Sequence, residues 1–226
     1  MAERKYDAAV FDMDGLLLDS ERVYNASWMD TARRQGIPLT WEMVHATIGM
    51  NAKVSRVYLT EHLGPDFDFD AFYEEARHLT YQRLDDEGVP LKPYALEILQ
   101  DLKAAGWRMA LATSTREFVA RHLMEARDMM KYFDAVCFGS QVERGKPFPD
   151  VFLLAARELG TDPARCVVLE DSPNGITAAR AAGMAALWVP DQILPAERPD
   201  TAREAHRIFP SLREASLWLL GEGEEG

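Results

Sequence analysis

Cysteine is nearly absent from this 226-residue chain; Cys137 and Cys166 are the two. Each lies in an apolar run, residues 135–138 and 166–169. That setting suits buried core thiols and offers no disulfide framework or thiolate metal pair. Positive charge is also short: 25 Lys and Arg stand against 37 Asp and Glu, a formal net charge of −12. No basic stripe interleaves with aromatics, so nucleic acid is not an expected ligand. No apolar run reaches the length of a membrane span. The opening residues Met1-Ala2-Glu3-Arg4-Lys5 lead into a short strand without a signal-peptide core, so a reducing cytoplasm is the expected location. The histidines His45, His62, His78, His122 and His206 follow no ligand spacing, which argues against zinc.

What the chain does have is a packed-protein composition, 47% hydrophobic and 27% charged. Its length allows one sizeable domain carrying a smaller insert. Residues 7–11 form a short β-like run that breaks into Asp12-Met13-Asp14-Gly15. A helical pattern follows from Ser20 to about Gln35 and stops at Gly36-Ile37-Pro38. Residues 41–86 read as about three further helices, with breaks at Gly49 and Gly64-Pro65 and no credible strand. From Pro90 onward strands and helices alternate, with strands at 108–112, 135–139, 166–169 and 186–189. The pattern predicts an α/β fold, a doubly wound parallel sheet of five or more strands with an inserted all-helical cap. The expected division is a core of residues 1–16 and 88–226 and a cap of residues 17–87. Ser114-x-x-Glu117 reads as a capping box, Ser172-Pro173 as an N-cap and first helical position, and the tail from Gly221 as disordered.

The polar residues fall at strand ends, where such sheets bind ligands: Asp12 and Asp14, Thr113 and Ser114, Glu170 and Asp171. Two acidic clusters on one sheet edge repel unless a positive group lies between them. A hard cation with oxygen ligands answers this, and Mg2+ suits a site with few carboxylates that keeps several waters. Thr113-Ser114 sits at a strand-to-helix junction whose free N–H groups can hold an anion. Lys146, in Gly145-Lys146-Pro147, can supply a point charge to a phosphate.

These four pieces, in this order, resemble the haloacid dehalogenase-like superfamily. Asp12-Met13-Asp14-Gly15 is similar to its first motif, Thr113 to its second, Lys146 to its third and Glu170-Asp171 to its fourth. The runs Phe11 through Glu21, Gly145 through Asp150 and Leu169 through Ile176 resemble the subgroup of β-phosphoglucomutase and small sugar-phosphate phosphatases. The resemblance implies a phosphatase acting on a small phosphorylated metabolite, with Asp12 as nucleophile and Asp14 as general acid and base. It implies that Thr113, Ser114 and Lys146 bind phosphate. It also implies that Mg2+ is held by Asp12, Asp171, the backbone carbonyl of Asp14 and, directly or through water, Glu170. The helical insert would act as a lid, and a monomer is favoured.

Departures bear on which reaction is expected. Mutases of this subgroup carry a His where this chain has Tyr24, and many relatives carry an Arg after the Gly that matches Gly49, where this chain has Met50 and Asn51. Both favour a phosphatase over a mutase-type phosphotransferase. A dehalogenase would lack the second acid, Asp14. A non-catalytic binding protein of the same fold would not need the full set.

Overall fold

A computed structural model describes residues 5–48 and 52–221. The break expected at Gly49, the departure at Met50-Asn51, Met1 to Arg4 and tail residues 222–226 lie outside the described residues. In chain order the elements are β1 (Ala8–Phe11), α1 (Ser20–Gln35), α2 (Trp41–Thr47), α3 (Ala52–Leu63), α4 (Phe69–Glu87), α5 (Ala95–Ala104), β2 (Arg108–Thr113), α6 (Glu117–Ala126), β3 (Ala135–Phe138), α7 (Asp150–Leu159), β4 (Cys166–Glu170), α8 (Pro173–Ala181), β5 (Ala185–Trp188), α9 (Pro199–Glu204), β6 (Arg207–Ile208) and α10 (Leu212–Leu219). No helix among the described residues is long and apolar enough to cross a membrane.

The chain forms two compact units, residues 1–18 with 91–226, and residues 19–90. The first holds a six-stranded, wholly parallel sheet in the order β3-β2-β1-β4-β5-β6. Six strands fall within the expected five or more, although the Arg207-Ile208 pair of β6 carries no apolar periodicity that would mark it. β1 lies between β2 and β4, with Phe11 in register with Leu111 on one side and Leu169 on the other. All four residues of β1 are buried, which fits its unbroken Ala-Ala-Val-Phe run. Alternate strand residues, among them Val10, Ala112, Val168 and Trp188, share one core with Phe152 and Ala155 of α7 and Ile176 of α8. Burying a side chain the size of Phe152 stabilises by about 1.5–3 kcal/mol.

The regular elements among the second unit's described residues are all helices, α1 to α4. Its core joins Ala32, Leu39, Val44, Leu59, Phe69 and Phe72, with Trp28 set edge-to-face against Phe72 at 5.5 Å. α1 and α4 are also tied by polar groups: Arg83 pairs with Asp30 and donates to Ser27 Oγ at 3.3 Å. Asp68 caps α4 by accepting from Ala71 N at 3.1 Å.

One local expectation fails. α6 begins at Glu117 with Arg116 as N-cap and no side-chain cap bond, so the Ser114–Glu117 capping box does not form. Glu117 pairs instead with Arg121, one turn along the helix, at 2.8 Å. The Ser172 cap does form: its hydroxyl accepts from Gly175 N at 3.1 Å, with Pro173 at the first helical position.

Candidate active site

Parallel pairing brings the ends of β1, β2 and β4 to one edge of the sheet. Asp12 N–H donates to Leu169 O at 3.1 Å, so the first residue past β1 keeps its backbone on that edge. Residues 13–18 then fold back tightly: Leu17 and Leu18 donate to Met13 O at 3.0 Å, and Gly15 donates to Leu18 O at 2.8 Å. Gly15 has φ +82°, and a Cβ there would overlap Asp171 Oδ2. A Cβ on Gly175 would overlap the Glu170 carboxylate. The two glycines are thus spaces into which acidic side chains fit.

Lys146 is the centre of the hydrogen bonding. Its Nζ donates to Asp12 Oδ1 at 2.5 Å, Glu170 Oε1 at 2.6 Å and Ala112 O at 3.1 Å, which uses all three ammonium protons. The ammonium also lies 4.8 Å from the centroid of the Phe152 ring. Glu170 is engaged on both sides, because Oε2 accepts from Ser172 N at 3.0 Å and Ser172 Oγ at 2.9 Å. Asp14 Oδ2 accepts from Thr115 Oγ1 at 2.6 Å and more distantly from Thr113 Oγ1 at 3.5 Å. Thr113 Oγ1 in turn accepts from Thr115 N at 3.0 Å. Asp171 is held through its backbone, where the buried Trp188 indole donates to its carbonyl at 2.7 Å.

The structure therefore gathers Asp12, Asp14, Thr113, Lys146, Glu170 and Asp171. Ser114 follows directly at the end of β2 and is exposed. Sequence reasoning passed over Thr115, Trp188 and Ser172 as supports. A Thr at a strand-to-helix junction and a Trp in an apolar strand carry no sign of where their donors point.

The donor set fits a hard divalent cation. Asp12, Glu170 and Asp171 are all buried, and one carboxylate oxygen from each lies within 4.8 Å of the others. Burial pushes the Asp12 carboxyl up to about 8 against the pull of Lys146, with Glu170 and Asp14 adding to the rise. Burial alone would lower the Lys146 ammonium, but Asp12 and Glu170 outweigh it and keep it protonated.

Over residues 6–183 the chain matches the model of the haloacid dehalogenase-like hydrolases. The chain belongs to that family. Among relatives of this haloacid dehalogenase-like hydrolase, the phosphorylated carbohydrates phosphatase of Thermotoga maritima is 33% identical over 182 residues, 80% of this chain and 84% of that protein. The fructose-1-phosphate phosphatase YqaB of Escherichia coli K12 is 32% identical over 199 residues, 82% of this chain and 97% of that protein. In three dimensions it is similar to a β-phosphoglucomutase candidate from Thermotoga maritima, with a TM-score of 0.76 and 29% identity over 96% of this chain and 99% of that one. The hydrolase thus falls in the phosphoglucomutase-like branch of its family, beside relatives named as phosphatases.

Proposed function

We propose that this chain is a magnesium-dependent phosphatase that hydrolyses a small phosphomonoester, a sugar phosphate, through an aspartyl phosphate on Asp12. The observation that carries the reading is the buried set Asp12, Lys146, Glu170 and Asp171 at one sheet edge, in a chain whose relatives are named for phosphorylated carbohydrates and fructose 1-phosphate.

In this reading Asp12 attacks phosphorus, a bond forms from its carboxylate oxygen, and the bond from phosphorus to the leaving alcohol breaks. Asp14 gives its proton to that alcohol oxygen, then takes one from the water that attacks the aspartyl phosphate and frees Asp12. Lys146, the Thr113 hydroxyl and the Ser114 N–H bind the remaining phosphate oxygens and meet the charge that spreads over them. Asp12, Asp171 and the Asp14 carbonyl would hold magnesium, which when bound offsets the repulsion between carboxylate and phosphate. Glu170, which fixes Lys146 through Oε1 and accepts from Ser172 through Oε2, would join the metal directly or through water. The helical unit, residues 19–90, would serve as the cap.

The test is hydrolysis of p-nitrophenyl phosphate with magnesium and with EDTA. Turnover that needs the metal is expected, and its absence with every small phosphomonoester tried would end the reading. A requirement for a sugar bisphosphate activator would favour a mutase.

A further inference from the structure

Apart from the carboxylate cluster, the sheet-bearing unit holds a second inward ion pair. Lys92 Nζ donates to Asp191 Oδ1 at 2.6 Å, and the two side chains are 17% and 8% exposed. Asp191 Oδ2 is buried and has no hydrogen-bond partner among the described residues, so the charge of this carboxylate is met by Lys92 through Oδ1. We infer that Lys92 and Asp191 are positioning residues for Asp14: their ion pair ties the backbone turn that carries the general acid to the loop that follows β5. The inference rests on the phosphatase reading above and adds to it two residues that act through others.

Three observations carry it. The first is how Lys92 is held. Its N–H donates to Leu17 O at 2.9 Å, its carbonyl accepts from Ala95 N at 3.1 Å at the start of α5, and its ammonium reaches Asp191. Pro93 follows, and a residue before proline is kept extended. Leu91 also bridges Leu18 in antiparallel fashion, so a short extended segment runs beside residues 17–18. The second is what those residues belong to. Leu17 and Leu18 close back on Met13, Gly15 closes on Leu18, and Asp14 bridges Leu18. The backbone of Asp14 is therefore set by a turn that is itself bonded to Lys92, while Thr115 holds the Asp14 side chain. The third is what precedes Asp191. The Trp188 indole donates to Asp171 O at 2.7 Å, and Val189 N–H donates to Glu170 O at 2.8 Å. The loop that carries Asp191 thus leaves a stretch pinned to both acids at the end of β4.

A buried ion pair is a weak source of stability, because an apolar pair of similar volume serves as well or better. What it supplies is one geometry, since ammonium and carboxylate hold each other at hydrogen-bond distance. An acid–base group depends on such geometry, and a small misplacement removes much of its effect.

The experiment uses the whole chain with magnesium, the double variant Lys92→Met/Asp191→Leu, and two substrates: p-nitrophenyl phosphate and a ketohexose 1-phosphate. Removing both charges strands neither in the interior. The sugar alcohol needs a proton from Asp14 as it leaves, whereas p-nitrophenolate leaves without one, and kcat/KM reports the step in which phosphorus moves to Asp12. In the variant, kcat/KM for the sugar phosphate is expected to fall about tenfold and that for p-nitrophenyl phosphate less than about threefold. General damage to the fold would lower both alike. Equal losses, or no loss, in a variant that melts cooperatively overturn the inference. If the variant does not fold, amide exchange in the wild type decides. The N–H groups of Lys92, Gly15, Leu17 and Leu18 are expected to exchange slowly and together. A Lys92 amide that exchanges like an exposed loop while Leu17 and Leu18 stay protected shows that the turn stands without its partner segment, and overturns the inference. If the wild type hydrolyses neither these substrates nor any other small phosphomonoester, the phosphatase reading is at fault and the inference falls with it; if it hydrolyses both and the variant affects them equally, only the inference is lost.

Discussion

The indole N–H of Trp188 donates to the backbone carbonyl of Asp171 at 2.7 Å, with the ring fully buried in the core beneath the sheet edge. A core side chain thus sets the backbone of an acid in the candidate metal centre. Packing and site geometry are the same object there.

Trp188→Phe keeps most of the apolar bulk and removes the donor. It leaves a buried carbonyl without its partner, which costs about 1–3 kcal/mol. Thermal unfolding should show the loss. Magnesium titration should show weaker binding, because Asp171 is no longer held. An unchanged affinity in a destabilised variant would confine Trp188 to packing.

Thr115→Val removes the hydroxyl that donates to Asp14 at 2.6 Å. With Asp14 held less firmly, kcat should fall about tenfold, below the ~10²–10⁴-fold worth of the acid–base group itself. KM should change less than kcat, and Thr115→Ser should restore the rate. Steady-state kinetics on the three forms decides this.

Gly175→Ala places a Cβ where the Glu170 carboxylate lies. The carboxylate must move, and Lys146 loses its partner at 2.6 Å. Overpacking of this kind costs about 1–3 kcal/mol, and activity should drop far more than the stability change alone explains. Melting temperature and kcat/KM measured on the same preparation separate the two effects.

Acid should loosen the helical unit through Asp30. Its hydrogen bond from Arg83 holds the carboxyl below its ordinary value of 3.8, with Arg33 adding to the effect. A depressed pKa stabilises the fold above the unfolded value near 3.8, and that contribution fades as pH falls through the lower folded value. Asp30→Asn should therefore cost about 1 kcal/mol or less between pH 5 and 8. The gap between wild type and variant should close on acidification below pH 4. Urea unfolding at several pH values measures it.

The legible part of the sequence was the part governed by short-range patterns. β1, β2 and β4 announce themselves as apolar runs that stop at Asp12, Thr113 and Glu170. Parallel pairing then brings those ends together without further information. β6 escaped notice because Arg207 and Ile208 have no periodicity, and the strand exists because β5 offers an edge. The capping box at Ser114 followed a sound local rule, but Glu117 found Arg121 and the preceding threonines turned toward Asp14 and each other. Side-chain hydrogen bonds between residues some hundred positions apart, such as Thr115 to Asp14, depend on the finished sheet and leave no trace in the order of residues.

The placement of β1 in the interior of the sheet has a consequence for dynamics. Asp12 N–H is bonded to Leu169 O on a neighbouring buried strand. That amide can exchange with solvent deuterium only when the β1–β4 ladder separates, an event near the full unfolding free energy of the unit. Its exchange rate is therefore a direct clock for catastrophic opening. Any motion that serves turnover must run through other parts of the chain while this amide stays protected.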